Sequence, residues 1–390
     1  MDLIFVSLEN WDEIWRRNQF LCAEFIKKDP ATRILFVGLP RDISNQVRRR
    51  EFSGIFADDT CAIKELPQVT FTRPRKFLPN SVAAFRQINE MAFLRHVKRH
   101  VTRMQFKNPV LWLNPHSAVF LAGHLNESAV IYDITDDWTT LTQSESLKKL
   151  TIQQDSQLCA RADAVIVCSE RLYEMKKTMA TSLHLIPNGV DSEHYASVTD
   201  TLAVLPPEAK DWQHPVFGYT GTIHRDRVDV ALVEKIATSM QHGSIALVGP
   251  CHLNAEEQAR LKNTGRVHIT GGVPYRRIPE FMRAFDVCIT PHVVSAFTES
   301  LNPIKLWEYL AAGKPVVATP VAGFRDYPEL VKIASSPDEF LAACIESLNE
   351  DVTLLEKRRT EARKHSWKSR IDSVLAIIES ITAIPPNPGG

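Results

Sequence analysis

Short apolar runs rich in branched residues recur along the chain, each closed by polar or turn-forming residues and separated by longer stretches with helical spacing. In the first half these are LIFVSL (3–8), RILFVGL (33–39), PVLWLN (109–114), AVIYDI (129–134), ADAVIVCS (162–169) and LHLIPN (183–188). Candidate helices lie at 11–28, 82–104, 143–161 and 170–179. Strands that alternate with helices predict a parallel sheet covered on both faces. The pattern then restarts with VFGYTG (216–221), SIALVGP (244–250), RVHITGG (266–272), DVCITP (286–291) and PVVATPV (315–321). Helices are predicted at 228–241, 255–263, 277–285, 303–312, 337–349 and 351–364. Two successive runs of β/α units predict an α/β chain of two Rossmann-like domains, 1–188 and 214–365. Residues 189–213 contain Gly189, Pro206 and Pro207, have weak periodicity, and read as a linker. A final helix over 366–383 carries Trp367, Ile371, Val374, Leu375 and Ile378 on one face, and 384–390 read as a tail.

Composition changes this picture little. Of the 390 residues, 44% are hydrophobic and 24% charged, ordinary for a chain that buries real cores. Formal net charge is zero, so nothing global points to nucleic acid, but residues 1–110 hold 19 Lys and Arg against 12 Asp and Glu. That asymmetry favours an anionic partner for the first half. Seven widely spaced cysteines without a C-x-x-C predict neither a disulfide framework nor a zinc site, and a reducing, cytoplasmic setting. Met1–Leu8 reads as a first strand, not a leader. No run of about 18 apolar residues predicts a membrane span.

The densest chemical signal is NPIKLWEYLAAGKPVVATPVAG, Asn302 to Gly323. Pro303 suits a first helical turn, and Gly313 closes the helix before a strand opened by Pro315. Lys305 and Glu308 are three apart and share a helix face near its N-terminus. A cation, a carboxylate and free backbone N–H groups at one helix start suit a diphosphate beside a ribose.

This segment resembles the nucleotide-sugar signature of GT-B glycosyltransferases, especially family four and related bacterial polysaccharide-assembly enzymes. IPNGVD (186–191), VFGYTGTIHRDRVD (216–229) and VHITGGVPYRRIPEFMRAFDVCITP (267–291) resemble further parts of the same pattern. The resemblance implies a GT-B fold, with an acceptor-binding N-terminal domain and a donor-binding C-terminal domain facing a central cleft. It implies that helix 366–383 crosses back to the N-terminal domain. It implies transfer of a sugar from a nucleotide-diphosphate sugar, without a cofactor, to a saccharide or lipid-linked saccharide in surface-polysaccharide assembly. Lys305 would bind the diphosphate with Gly221, Thr222, Arg225 and Arg227; Glu308 would bind the ribose. Main-chain atoms of Gly272 and Val273 would read the base.

One departure from the family pattern concerns the sugar. A second glutamate often stands eight positions before the ribose glutamate; here that position is Ser300, with Glu299 beside it. Glu299, Ser300, Leu301 and Asn302 are the candidates for holding the donor sugar.

In the first domain YDITDDW (132–138) ends a strand, where ligands of open α/β sheets bind. The family often has a His at the place of Thr135. Asp136 or Asp137 is the candidate general base, with Asp133 holding the loop; the alternative is that one of them caps a helix starting near Leu141. Trp11, Arg17 and Asn18, in the loop after the first strand, are candidate acceptor contacts. Arg95, Lys98, Arg99 and Arg103 share a helical face that could meet an anionic membrane surface, or simply be solvated. The D-x-D triplet that holds a divalent metal in GT-A enzymes is missing, so no metal is expected. Two rival readings are a nucleotide-sugar epimerase on the same fold and a non-catalytic binding subunit.

Overall fold

Parallel pairing of the buried runs builds both sheets of the computed structural model, which describes residues 1–50, 59–139, 144–200 and 204–383. The chain divides into two units. Unit 1 comprises Met1–Asp12, Arg16–Ile186 and the chain from Ile371 on; unit 2 comprises Glu13–Trp15 and Pro187–Arg370.

In unit 1, β1 (Asp2–Val6), α1 (Arg17–Lys28), β2 (Arg33–Val37), β3 (Arg41–Asp42) and α2 (Ile43–Arg48) come first. They are followed by β4 (Cys61–Ala62), β5 (Val69–Thr72), β6 (Arg75–Lys76) and the long α3 (Ala83–Arg103). Next come β7 (Val110–Leu113), β8 (Ala129–Ile134), α4 (Glu145–Arg161), β9 (Ala164–Val167), α5 (Glu170–Lys176) and β10 (Leu183–Leu185). The main sheet runs β10-β9-β8-β7-β1-β2-β5-β4, parallel except for the β4 edge. The register sets Leu3 beside both Ile34 and Val110. Because both faces are covered, whole strands are buried, which explains apolar runs without alternation.

Unit 2 continues with α6 (Ser192–Ala196), β11 (Val216–Thr220), α7 (Val230–Ser239), β12 (Ser244–Val248), α8 (Ala255–Asn263) and β13 (Val267–Ile269). Then follow α9 (Ile278–Arg283), β14 (Val287–Thr290), α10 (Ala296–Ser300), α11 (Ile304–Ala312), β15 (Val316–Ala318) and β16 (Lys332–Ile333). Helices α12 (Pro337–Ser347), α13 (Thr353–Arg363) and α14 (Trp367–Thr382) close the chain. Its sheet runs β13-β12-β11-β14-β15-β16, all parallel. In chain order that is 3-2-1-4-5-6, the doubly wound arrangement whose ligand crevice lies where the order reverses, between β11 and β14.

Differences from the expected elements have local causes. The first helix starts at Arg17 rather than at 11, with Gln19 Oε1 accepting from the Arg16 N–H at 3.1 Å. Residues 189–213, read as a linker, hold α6 and short 3-10 turns. Val190, Tyr195, Val198, Ala209 and Trp212 bury their side chains in the core of unit 2. Elements this short show no periodicity in sequence. Helix α14 starts in unit 2 and belongs to unit 1 from Ile371 on. The backbone at its start is pinned within unit 2, where Val190 N–H donates to His365 O at 2.8 Å and Trp367 N–H donates to Val190 O at 3.3 Å.

Candidate functional site

In unit 2 the reversal of strand order opens a crevice beyond the ends of β11 and β14. The loop leaving β11 is drawn against the next strand, with Gly221 N–H donating to Val248 O at 2.7 Å. Gly221 has φ +133°, and a Cβ there would stand 2.0 Å from Lys305 Cε, so the Lys305 chain lies directly across a glycine. Gly249 (φ +142°) leaves room in turn, since a Cβ on it would stand 2.2 Å from Gly221 O.

What brings Lys305 there is α11. Pro303 stands at its N-cap, just outside the first turn, and Gly313 (φ +74°) ends it in the left-handed region. Tyr309, four residues after Lys305 and so on the same face, is fully buried; its hydroxyl accepts from Thr220 N–H at 2.9 Å. Asn302, just before the helix, accepts on Oδ1 from Asn188 N–H at 2.8 Å, and its carbonyl accepts from Asn188 Nδ2 at 2.6 Å. The IPNGVD and NPIK segments are thereby one structural piece.

The crevice is cationic. Lys305 Nζ sits 5.8 Å from the centre of the Tyr219 ring, and the Arg227 guanidinium 5.6 Å from that of Phe297. Between these elements His292 is 5% exposed, its Nε2 3.4 Å from the Tyr219 hydroxyl. Burial first, then the charges of Lys305 and Arg227, push its pKa down to about 3. Two fixed cations therefore converge beside an imidazole that stays neutral. Glu308, one turn along from Lys305, is partly exposed next to an aromatic cluster. Burial raises the hydroxyl pKa values of Tyr195 and Tyr275, and the Glu308 carboxylate raises them further. His194 stacks on Tyr275 with ring centres 4.1 Å apart.

The other donor-side candidates are more dispersed. Thr222 O accepts from the Tyr219 hydroxyl at 3.2 Å, while Arg225 is largely exposed and meets Glu257 at 3.3 Å. Gly272 is exposed; Val273 buries its side chain in the core, which leaves only its main chain for a ligand. Glu299 faces Arg325, whose Nη1 donates to it at 2.8 Å. Ser300 is buried, its hydroxyl donating to Phe297 O at 2.7 Å, and Leu301 is half-buried. Gly218 is a packing position. It lies inside β11, where a Cβ would stand 2.1 Å from the Phe285 ring.

In unit 1 the expected acceptor residues lie near the corresponding crevice. Arg17 is 4% exposed and donates to Asp133 from Nε and Nη2, at 3.0 Å each, a buried bidentate pair. Asn114 Nδ2 adds a bond to Asp133 O at 3.1 Å. Asn18 Nδ2 donates to Ser7 Oγ at 2.8 Å, and Trp11 packs edge-on to Phe36 at 5.0 Å. Asp136 is half-buried and accepts from Thr135 Oγ1 at 3.1 Å. Asp137 is 4% exposed and accepts from Thr139 N–H at 3.0 Å, a local turn. The cap of α4 is Ser144, whose Oγ accepts from Leu147 N–H at 3.4 Å; Leu141, where a capped helix start was expected, lies outside the described residues. A cavity of about 790 Å³ opens at the ends of β1 and β2, with Lys76, Arg86, His116, Lys149 and Gln154 among polar walls and Phe93 and Phe120 among apolar ones.

His292, Tyr219 and Tyr309 were missed in the sequence. The first two follow or end strands that flank the strand-order reversal, a signal available only once that order is known. Among the described residues no group of three His, Cys, Asp or Glu is placed to hold a metal ion.

Residues 214–350 match the family described as Glycosyl transferases group 1. A Bacillus subtilis (strain 168) protein carrying the name teichuronic acid biosynthesis glycosyltransferase TuaH is 28% identical over 277 residues, 66% of this chain and 68% of its own. The fold is similar to that of sucrose-phosphate synthase from Thermosynechococcus elongatus (TM-score 0.72, 15% identity, 98% of this chain and 99% of the other). It is also similar to that of Anabaena HepE in complex with UDP (TM-score 0.65, 14% identity, 97% and 100%). Together with the doubly wound sheets, these findings show a GT-B fold whose second unit, over residues 214–350, matches the group 1 glycosyl transferase family.

Proposed function

We propose that the protein moves a sugar from a nucleoside-diphosphate sugar to a saccharide or lipid-linked saccharide in bacterial surface-polysaccharide assembly. The observation that carries the reading is the placing of Lys305 across Gly221 at the strand-order reversal, at the start of α11 and next to Arg227. A diphosphate leaving group gains negative charge as the glycosidic bond breaks. Fixed cations and the N-terminal end of a helix stabilise that charge without reorganising. Gly221 and Thr222 let the backbone approach the phosphates, Arg225 and Arg227 are within the same loop, and Glu308 accepts from the ribose hydroxyls. Gly272 and Val273 offer main-chain atoms to the base. Asn302, Leu301, Ser300 and Glu299 stand on the sugar side, Glu299 through its exchange with Arg325. The name of the Bacillus relative supports the polysaccharide setting.

For the acceptor, Asp136 is the better base of the two carboxylates, because Asp137 is buried and engaged by Thr139. The cavity of unit 1, with its mixed polar and apolar walls, is the acceptor's place, and Trp11 and Asn18 border the same loop region. The test is turnover with UDP-sugars as first donors, comparing the parent with Asp136→Asn. Donor affinity should be unchanged and turnover lower by about a hundredfold or more. Near-normal turnover in Asp136→Asn would remove it as the base, and no donor turnover in the parent would overturn the reading as a whole.

A further inference from the structure

A second cavity in unit 1, of about 320 Å³, is formed between the β5–β6 segment and α3. Arg73, Arg75, Arg99 and Arg103 converge on it together with His96 and His100. Among the described residues its one carboxylate, Asp59, is engaged by Arg41 at 3.1 Å. Among the described residues neither Arg99 nor Arg103 has an ion-pair or hydrogen-bond partner. Arg73 Nε donates to Leu39 O at 3.1 Å, while Arg99 and Arg103, one turn apart on the α3 wall, repel one another unless an anion joins them.

The walls are built, not incidental. His100 is 6% exposed; its Nδ1 lies 2.9 Å from His96 O, a carbonyl that can only accept, so Nδ1 carries a proton. Its Nε2 then meets the Thr60 hydroxyl at 3.0 Å, and His96 Nε2 meets the Thr72 hydroxyl at 2.8 Å. This network holds the two rings 4.5 Å apart and fixes the floor of the cavity. Residues 92, 96, 99 and 103, which supply the α3 wall, recur at helical spacing on one face. Arg in place of Lys at all four cationic positions favours an oxyanion, since the planar fork matches phosphate oxygens in pairs. Towards its N-terminal end the same helix exposes Val82, Phe85, Ile88 and Met91 at three-residue spacing.

We propose that this arginine-lined cavity binds the phosphate group of an anionic ligand, at a site made wholly by unit 1. The shared chemistry is a phosphate or diphosphate ester. Its source is either a small soluble phosphate or the headgroup of a lipid, whose apolar part would meet the exposed stripe of α3.

The test uses the full chain carrying Lys305→Met, so that phosphate binding in unit 2 does not mask the site. Pyrophosphate is titrated by calorimetry. In parallel, the protein is sedimented with vesicles of equal parts phosphatidylglycerol and phosphatidylcholine, and with phosphatidylcholine alone. Arg99→Gln/Arg103→Gln should weaken binding at least tenfold. Lys64→Gln/Lys107→Gln removes the same charge from exposed positions outside the cavity and should leave binding unchanged. Pyrophosphate binding without vesicle binding supports the site with a soluble source. Vesicle binding that needs the arginine pair and is displaced by pyrophosphate supports it with a lipid source. Equal losses in the two pairs, or no binding of either probe, would overturn the proposal. The donor reading stands or falls separately, on UDP-sugar turnover by the protein with Lys305 intact.

Discussion

The two sheets share one plan but not one use of it. Read from β5 and from β13, both run third, second, first, fourth and onward in order of their parallel strands, so each has a reversal of strand order beside its first strand. At the reversal in unit 2, between β11 and β14, Gly221 leaves the loop without a side chain where Lys305 lies, and Lys305 and Arg227 bring positive charge beside a neutral His292. In unit 1, between β1 and β7, the corresponding space holds Arg17 and Asp133 in a buried bidentate pair backed by Asn114. In unit 1 the cation is closed by its own carboxylate; in unit 2 a cation lies over a glycine at a helix start, where the proposed diphosphate site stands. Topology names the place in both units, and the local charge balance decides what the place does.

The sharpest way to break this contrast is to cut the pair in unit 1. Arg17→Met leaves Asp133, 0% exposed, with an uncompensated charge. It should cost about 3–5 kcal/mol of stability in denaturant unfolding, while Arg17→Met/Asp133→Leu recovers most of the loss. A stable Arg17→Met protein with a raised acceptor KM would show instead that this crevice serves the ligand. In unit 2 the effect should fall on chemistry. Lys305→Met should lower turnover by about 10²–10³-fold with little change in unfolding. Gly221→Ala should approach the same loss, because its Cβ displaces the lysine. Unchanged turnover in both would move the diphosphate elsewhere.

The smallest effect concerns pH. His292 is held neutral in the fold, with a pKa of about 3, while an unfolded chain takes up the proton near pH 6.5. The stability it contributes is present above about pH 6.5 and is lost as pH falls toward its folded value. His292→Gln should flatten the fall of the unfolding midpoint across that window, by about 2 kcal/mol at pH 5. An identical pH profile in the variant would show that the imidazole is not kept neutral.

Much of this was legible along the chain. Buried parallel strands are continuous apolar runs, so AVIYDI was read as a strand over 129–134 and observed over Ala129–Ile134. Helix α8 was read over 255–263 and observed over Ala255–Asn263, because a capping box of Asn254 and Glu257 marks its start. Less legible were β5, whose VTFT alternates at the sheet's flank, and the short turns of residues 189–213, whose burial depends on partners far along the chain.

Local chemistry along the chain was enough to specify the two runs of β/α units, the helix start bearing Lys305 and Glu308, and the turn glycine at Gly313, because these depend on neighbours within a few residues. Tertiary structure alone decided which cations are neutralised and which residues share a site. Arg17 and Asp133 are 116 positions apart, and only sheet order makes them a pair. Gly221 and Lys305 meet because Tyr309 anchors α11 to β11. Gly218 proved to be a packing position because Phe285 lies over it. Charge and close packing act through space at a few ångströms, and distance along the chain carries no record of that.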